Sequence, residues 1–359
     1  MKFSTLILAL LVFTLIFPAC KKDDNGGPNP NPTEKTLLKG ADLSFLPEIE
    51  SYNITFTNRQ GQAEDVLTTL KNNGCNVVRL RLWKNPQNPF DQFEQVKAFA
   101  QRIKAANLKL WLSMHYSDTW ADPGHQQLPA NWENLSFAQL SDSVYAYTKM
   151  VASQLQPDYI QIGNEINGGL LWPQGQINNT VQFKLLLESG IRAVRDAAPN
   201  AEIMIHYAGL ENAAWFYNNI SGLDYDIIAL SFYPLWHGKN LNQLAAQLNQ
   251  LSLTHNKDVI IAETAYPFTL NWNDWTNNIV GLQEQLIPEF PATPEGQKAY
   301  LERVKQIATD VERCLGFCYW GGEWVAYKGP QATDCSSWEN QALYDFVFRA
   351  LPAIEAFND

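Results

Sequence analysis

The sequence is poor in basic residues. It contains 26 Lys and Arg against 37 Asp and Glu, which gives a formal net charge of −11. A surface of that sign repels nucleic acid, anionic membrane faces and acidic polysaccharides such as polygalacturonate. The chain also shows no glycine-rich phosphate loop, no basic stripe and no internal repeat of fixed period. These absences argue against a nucleic-acid partner and favour a neutral ligand.

Cysteine is scarce as well. Apart from Cys20, the chain has Cys75, Cys314, Cys318 and Cys335. Cys314 and Cys318 fall on one predicted strand, roughly 13 Å apart, which is too far for a disulfide and unsuited to a zinc knuckle. We expect buried thiols, and a bridge from Cys335 is the alternative in an exported protein.

The N-terminus has the layout of a secretory signal. Lys2 precedes an apolar run from Leu6 to Phe17, which is too short to span a bilayer and ends at Pro18-Ala19-Cys20. The segment resembles a bacterial lipobox, so we expect cleavage before Cys20 and lipidation of its thiol. We predict a signal peptide over 1–19, a flexible tether over 20–35 and a catalytic barrel over 36–359. The predicted location is the outer membrane of a Gram-negative bacterium, at the cell surface, with the periplasmic face as the alternative.

Beyond residue 36, apolar runs alternate with amphipathic segments of helical period. The predicted strands are 37–43, 76–83, 108–115, 159–165, 201–206, 226–232, 259–263 and 315–320. The predicted helices are 64–72, 91–106, 137–154, 181–198, 211–220, 241–253, 294–311 and 340–350. Eight strands, each followed by a helix, predict a single (β/α)8 TIM barrel. A doubly wound sheet is the alternative, but the turn after its first strand would bind a nucleotide, and here it reads Gly40-Ala41-Asp42-Leu43-Ser44.

Two of the apolar strands end on a glutamate. Asn164 and Glu165 end the fourth strand, and Glu263 ends the seventh. An isolated Asn-Glu pair could equally cap the next helix, but two such strands indicate a paired-carboxylate site. Barrel enzymes carry their sites at the C-terminal ends of the strands, where the fourth and seventh lie on opposite sides. That arrangement suits cleavage of a glycosidic bond, with carboxyls roughly 5 Å apart in a retaining enzyme and 6.5–9.5 Å apart in an inverting one.

Further polar and aromatic residues occur at the same strand ends. Any one of the polar residues could serve a structural salt bridge, but packing does not explain so many. Aromatic residues make up 12% of the chain, with 12 Trp, and aromatic planes stack on the apolar faces of sugars. The polar residues are Asp42, Arg79, Arg81, His115, Asp118, His206, Ser231 and Tyr233. The tryptophans are Trp83, Trp120, Trp172, Trp236, Trp320 and Trp324.

Seven stretches carry a resemblance to a known family. They are NVVRLRLW at 76–83, HYSDTWADP at 115–123, IGNEI at 162–166, GLLWP at 169–173, SFYP at 231–234, AET at 262–264 and YW at 319–320. From Lys39 onward the chain resembles the endo-β-1,4-galactanases of glycoside hydrolase family 53, in a clan of retaining barrels. HYSDTWADP is specific to that family, whereas Asn-Glu alone indicates only the clan.

The resemblance implies roles for single residues. Glu165 would be the acid/base and Glu263 the nucleophile, while Asn164 would bind the 2-hydroxyl of the reacting sugar. Arg79 and Tyr233 would hydrogen-bond Glu263. Trp320 would form the platform under the sugar, with a cis bond between Trp320 and Gly321 as in clan relatives. The other predicted substrate contacts are Trp83, His115, Asp118, Trp120, Trp172, Ser231 and Trp324.

The resemblance also implies an activity and its requirements. We expect a monomer that cleaves β-1,4-galactan internally by double displacement and requires no cofactor. Some bacterial relatives hold calcium in the loop after the seventh strand. Residues 269–277 contain one carboxylate, Asp274, so calcium there is doubtful. The alternatives are a surface glycan-binding lipoprotein without turnover and another retaining activity of the clan, such as a β-mannanase or cellulase.

Overall fold

Eight parallel strands close into a barrel in the computed structural model, which describes residues 36–359. Each strand pairs with the next along the chain, and the first pairs with the last. The predicted TIM-barrel fold is confirmed. The strands β1 to β8 are Leu38–Asp42, Val77–Leu82, Lys109–Met114, Tyr159–Ile162, Glu202–Ala208, Ile227–Ser231, Asp258–Thr264 and Cys314–Tyr319.

Helices surround the barrel, and every strand except β8 is followed by at least one. In the described part of the chain the helices α1 to α9 are Leu46–Ser51, Val66–Asn72, Phe93–Ala105, Phe137–Leu155, Thr180–Ala197, Ala213–Asn219, Pro234–His237, Leu241–His255 and Pro294–Asp310. Their starts follow local chemistry. Thr293 caps α9 by accepting from Gly296 N, with Pro294 at the first helical position as the sequence predicted.

The predicted helix over 340–350 is wrong. The chain instead has 3-10 turns at Glu339–Gln341 and Pro352–Phe357, with bends, a turn and isolated β-bridges between them. The side-chain amide of Gln297, on α9, donates to the carbonyls of Gln341 and Ala342. Asn340 donates from its own side chain to two carbonyls of the loop after β7. The carbonyls of Asn340, Gln341 and Ala342 thus accept from distant segments, Asn340 O from Phe268 N, and not from a following helical turn.

Every second residue of a strand faces the barrel interior, so the inward-facing side chains form layers along the barrel axis. The interior has two such layers. The lower layer is an apolar plug made of Leu38, Val77, Trp111, Tyr159, Met204, Ile227, Ala229, Ile260, Ala262 and Cys318. Two positions further along the same strands come polar residues, such as Arg79 after Val77 and His206 after Met204. The plug fills the barrel, and the polar layer above it faces the C-terminal mouth.

The seam between β1 and β8 depends on one glycine. Gly316 pairs with Leu38, and a Cβ atom on Gly316 would lie 1.9 Å from the Leu38 carbonyl oxygen. Only glycine permits that approach.

Cys75, Cys318 and Cys335 are buried free thiols, as expected, and Cys335 makes no disulfide.

Three predictions concern residues outside the described range. The signal peptide over 1–19, the tether over 20–35 and lipidation at Cys20 all fall before residue 36. Among residues 36–359, no helix is long and apolar enough to cross a membrane.

Candidate active site

A cleft of about 490 Å³ opens at the C-terminal ends of the strands. It contains both predicted glutamates and residues from most strand ends. The lining residues are Arg79, Arg81, His115, Trp120, Ala121, Asp122, Pro123, Asn164, Glu165, Ala208, Tyr233, Trp236, His237, Glu263, Ile279, Trp320, Trp324, Ser337 and Trp338.

A β-bulge in β7 turns Glu263 toward this cleft. Ile260 and Ala262 face the barrel interior, so simple alternation would point Glu263 outward. The register between β6 and β7 shifts before Ser231, which pairs with Glu263. Thr264 then faces outward and its hydroxyl bonds Tyr300 of α9. The extra residue of the bulge re-aims one side chain, a common use of bulges beside active sites.

Two donors hold the carboxylate of Glu263. Arg79 Nη2 donates to Oε1 at 2.7 Å, and the Tyr233 hydroxyl donates to Oε2 at 2.9 Å. Burial raises the pKa of Glu263, while the Arg79 charge and the Tyr233 hydrogen bond act against that rise. The carboxylate is therefore buried but kept in contact with a cation and a hydroxyl.

Glu165 follows the end of β4 in a left-handed backbone conformation, with φ of 48°. Gly163 precedes it with φ of 85°, so the chain turns sharply and presents the carboxyl at the mouth. Burial and the nearby charge of Glu263 raise the pKa of Glu165 to about 8. One carboxylate oxygen of Glu165, one of Glu263 and one ring nitrogen of His206 all lie within 4.8 Å of one another.

Arg79 lies beneath the two glutamates and is almost fully buried. Besides Glu263, its guanidinium donates to Asp42 Oδ2 at 2.6 Å, to Asn164 Oδ1 at 2.8 Å and to Gln161 Oε1 at 2.7 Å. Contacts with two buried carboxylates compensate for the loss of hydration of its charge. One arginine thereby fixes groups that belong to three different strands, β1, β4 and β7.

Two neutral histidines complete the polar layer. His115 Nδ1 accepts from Trp83 Nε1 at 3.2 Å and from Ala121 N at 3.1 Å. His206 Nε2 lies 2.8 Å from the Ser231 hydroxyl oxygen. Burial, together with the Arg79 charge, holds the pKa of both imidazoles well below the usual range. Both therefore act as hydrogen-bonding groups without charge near neutral pH.

A continuous run of indole rings lines the cleft. Trp320 lies at its centre, with ring-centroid distances of 4.8 Å to Trp338, 5.7 Å to Trp324 and 6.0 Å to Trp120. Trp236 extends the run beyond Trp338, at a ring-centroid distance of 6.2 Å and with an angle of 29° between the ring planes. Flat apolar surfaces spread on both sides of Trp320 suit a chain of sugar rings.

Most predicted site residues line this cleft, but four do not. Asp118 accepts from the backbone N–H groups of Asn85 and Ala130, so it fixes loops. Trp172 donates to the Gly168 carbonyl within its own loop. Trp83 and Ser231 are buried behind the lining, against His115 and His206 respectively.

The predicted cis bond between Trp320 and Gly321 is wrong. Among residues 36–359 the cis peptide is Trp172–Pro173. Gly321 instead takes a left-handed conformation, with φ of 64°, and this turn carries the chain away from the sheet. The Trp320 indole still lines the cleft, as predicted.

The sequence analysis missed several lining residues. Trp338 comes from the segment predicted to precede a helix, and Ile279 and Ser337 come from long loops. Asp122 lies inside the specific motif at 115–123, and that position could have singled it out. The others are brought to the cleft only by long-range loop contacts, such as Ile279 N donating to Ser337 O.

A second polar cluster joins the loops after β7 and β8. The sequence offered one carboxylate there, Asp274, and the structure adds Glu339, whose Oε1 accepts from Asn273 N at 2.6 Å. Four buried acceptor oxygens in this cluster have no hydrogen-bond partner: Asp274 Oδ2, Asn278 Oδ1, Glu339 Oε2 and Asn340 Oδ1. Carboxylate and amide oxygens are calcium ligands, so the donor set fits that ion.

The barrel, its paired carboxylates and its aromatic cleft together define a glycosidase. The chain belongs to glycosyl hydrolase family 53, whose model matches residues 38–357. It is 35% identical to an arabinogalactan endo-β-1,4-galactanase of Cellvibrio japonicus, over 89% of each chain. It is 30% identical to an endo-β-1,4-galactanase of Bacillus subtilis, over 90% of this chain and 86% of the relative. The family 53 catalytic domain of Ignisphaera aggregans is similar in structure, with a TM-score of 0.85 and 34% identity over 92% of this chain and 98% of that one.

Proposed function

We propose that this protein is an endo-acting β-1,4-galactanase that works by retaining double displacement. The observation that carries the mechanism is the carboxylate pair. One oxygen of Glu165 lies within 4.8 Å of one oxygen of Glu263, and Glu263 is the one that hydrogen-bonds Arg79 and Tyr233. That separation is close to the roughly 5 Å of retaining enzymes and too short to leave room for a water between the carboxyls. The substrate is proposed from the two bacterial relatives, which are endo-β-1,4-galactanases.

In the first step, Glu165 donates its proton to the glycosidic oxygen while a carboxylate oxygen of Glu263 attacks C1 of the sugar. The C1–oxygen bond breaks, the shortened galactan leaves as an alcohol, and a glycosyl ester forms on Glu263. The raised pKa of Glu165 supports its role as the acid near neutral pH. Arg79 and Tyr233 keep Glu263 available as the anion.

In the second step, Glu165 is ionised and takes a proton from water as the water oxygen attacks C1. The ester bond to Glu263 breaks, and the sugar leaves with the configuration it began with. Asn164 Nδ2 donates to the Ala121 carbonyl at 2.8 Å, which leaves its second N–H for the sugar 2-hydroxyl. That hydrogen bond strengthens in the transition state.

Cleavage at internal bonds of galactan fits the run of tryptophans. Rings on both sides of Trp320 give places for sugars on both sides of the scissile bond. Neutral sugars also suit the acidic net charge of −11. We propose that the enzyme acts as a monomer, and that Cys20 carries a lipid that anchors it to the outer membrane at the cell surface.

The proposed chemistry uses protein groups only and needs no cofactor. Calcium would be held by Asp274 and Glu339, with amide oxygens of Asn278 and Asn340 completing the set. It would join the loops after β7 and β8 and would not take part in the reaction.

Product analysis tests the proposed function. We expect release of short oligosaccharides from β-1,4-galactan and none from arabinan, mannan or cellulose. Early products should show the β anomer by proton NMR, and Glu263→Gln should abolish release. Cleavage of mannan or cellulose in place of galactan would favour another activity of the clan. Galactan binding without release would instead show a glycan-binding protein.

A further inference from the structure

Arg81 is a buried charge that lies one layer above Arg79 in the barrel mouth. The two residues are two positions apart on β2, so their side chains point to the same face, and Arg81 lines the cleft. Only 6% of its surface is exposed. Its Nη2 donates to Asp91 Oδ1 at 2.7 Å, while its Nε and Nη1 are buried without a hydrogen-bond partner. A buried guanidinium with two unused donors requires another source of stabilisation.

Three aromatic rings surround the guanidinium of Arg81. Its central carbon, Cζ, lies 4.2 Å from the ring centroid of Phe45, 4.5 Å from that of Trp83 and 4.7 Å from that of Trp120. A cation over an aromatic face is attracted by the ring, and the attraction is greater where water is excluded. The three rings follow the ends of β1, β2 and β3. One charged side chain therefore joins three loops at the barrel mouth.

Two indoles of the cleft depend on this arrangement. Trp120 contacts the guanidinium directly. Trp324 is reached through Phe45, because the two rings stack with centroids 3.9 Å apart and 10° between their planes. The Trp324 Nε1 atom is buried without a hydrogen-bond partner, so no hydrogen bond from the ring orients this indole. Both indoles line the cleft and neighbour Trp320, so Arg81 supports part of the indole run.

We propose that Arg81 is a positioning residue that holds Trp120 and Trp324 in the orientation that receives the sugar chain. This inference rests on the proposed function for the identity of that chain. Arg81 contacts neither of the two glutamates, since its side-chain partners among the described residues are Asp91 and the three rings. Its replacement should therefore weaken the binding of galactan and leave the chemical step intact.

The alternative is that Arg81 serves only the ion pair with Asp91, and two variants separate these roles. Arg81→Lys keeps a cation for Asp91 but replaces the plane that contacts three rings by a compact ammonium group. Asp91→Asn keeps the guanidinium among the rings and an acceptor oxygen beside it, and it removes only the opposite charge.

The first measurement follows the rings by ¹⁹F NMR of protein labelled with 5-fluorotryptophan, with signals assigned from single Trp→Phe variants. We expect Arg81→Lys to shift or broaden the signals of Trp120 and Trp324. The signal of Trp215, which lies on α6 and does not line the cleft, should stay in place and shows that the variant is folded. Asp91→Asn should leave all three signals near their wild-type positions.

Kinetics on galactan supply the second measurement. Arg81→Lys should raise KM by about tenfold through the loss of the cation–ring contacts and should keep kcat within about threefold of the wild type. Asp91→Asn should keep both constants near those of the wild type. Phe45→Leu removes the ring between Arg81 and Trp324, so it should raise KM and shift the Trp324 signal even if Arg81→Lys does not fold.

Three results would overturn the proposal. The first is an Asp91→Asn variant that matches Arg81→Lys in both measurements, because the ion pair would then be the whole role of Arg81. The second is unshifted indole signals or an unchanged KM in Arg81→Lys and in Phe45→Leu. The third is a fall in kcat alone. If the wild type released no sugar from galactan, the proposed function would fail, while the ¹⁹F signals would still decide whether Arg81 holds the indoles.

Discussion

At the scale of the residue, the two glutamates are distinguished by their neighbours. Glu263 contacts a guanidinium and a phenol, whereas Glu165 is only partly buried and faces the charge of Glu263. Two identical side chains thus acquire different tendencies to hold a proton. The sequence could locate both glutamates at strand ends, but their environments depend on residues that are far away in the chain.

The first prediction concerns the pH dependence of kcat/KM on galactan. Glu165 must be protonated to donate, and its pKa is raised to about 8, so activity should fall as pH rises through that value. On the acidic side, activity should fall as Glu263 becomes protonated. A pH series of initial rates checks this.

With an activated aryl leaving group, Glu165→Ala should lose far less of its glycosylation rate than on polysaccharide, and equal losses on both substrates would remove Glu165 from the acid role.

The second prediction concerns Glu323, which is fully buried and whose Oε1 accepts from Phe45 N. Burial and Asp42 raise its pKa to about 8, above the usual value of a glutamate in an unfolded chain. Its stabilising contribution is therefore complete below pH 4.5 and is lost as pH rises toward and through 8. Glu323→Gln keeps the acceptor and should remove this part of the pH dependence, which is at most about 1.4 kcal/mol per pH unit.

The measurement is the free energy of unfolding by denaturant at pH 5, 7 and 9. The wild type should lose more stability across this range than Glu323→Gln. Glu133→Gln, a change at an exposed glutamate, provides the control and should follow the wild type. Parallel curves for the wild type and Glu323→Gln would show that Glu323 does not titrate as proposed.

At the scale of the element, local patterning predicted the strands and most helices. Apolar runs and 3.6-residue periodicity depend on near neighbours, and the Thr293-Pro294 start of α9 was confirmed for that reason. The bulge before Glu263 was not predictable, since it depends on pairing with β6. The helix expected over 340–350 did not form because Phe268 N, in the loop after β7, donates to the Asn340 carbonyl and the Gln297 side chain donates to the next two carbonyls.

A third prediction concerns the turn after β8, which places Trp320 in the middle of the indole run. Trp320→Ala should lower kcat/KM on galactan by about ten- to a hundredfold, because an aromatic contact is worth about 1.5–3 kcal/mol. Trp215→Ala is the matched control, since Trp215 lies on α6, is about half exposed and does not line the cleft. Equal kinetics for the two variants would mean that Trp320 does not contact the substrate.

The loops after β7 and β8 give the fourth prediction. If the four unpartnered oxygens bind calcium, EDTA should lower the thermal midpoint Tm, and added calcium but not magnesium should restore it. Asp274→Asn should abolish the calcium response. A Tm indifferent to EDTA and calcium would show that the cluster is stable without the ion.

At the scale of the whole molecule, residues 36–359 contain the closed barrel, its apolar plug and the cleft. The fifth prediction is that a chain beginning at residue 36 has the same Tm and the same kcat/KM on dissolved galactan as a chain beginning at residue 21. Only association with membranes should differ, and only for protein that carries Cys20. A large loss of Tm in the shorter chain would show that residues before 36 support the fold.

Arg79 has a consequence for how this enzyme could evolve. Its side chain holds Glu263, which is the proposed nucleophile, the amide that is proposed to bind the sugar, an aspartate of β1 and Gln161 of β4. A change at any one of these positions alters the partners of all the others. Single substitutions in this polar layer are therefore not expected to be neutral, so the layer should not change by neutral drift. New specificities would have to arise in the loops above it, where the indoles of Trp236 and Trp324 can be exchanged without disturbing the arginine.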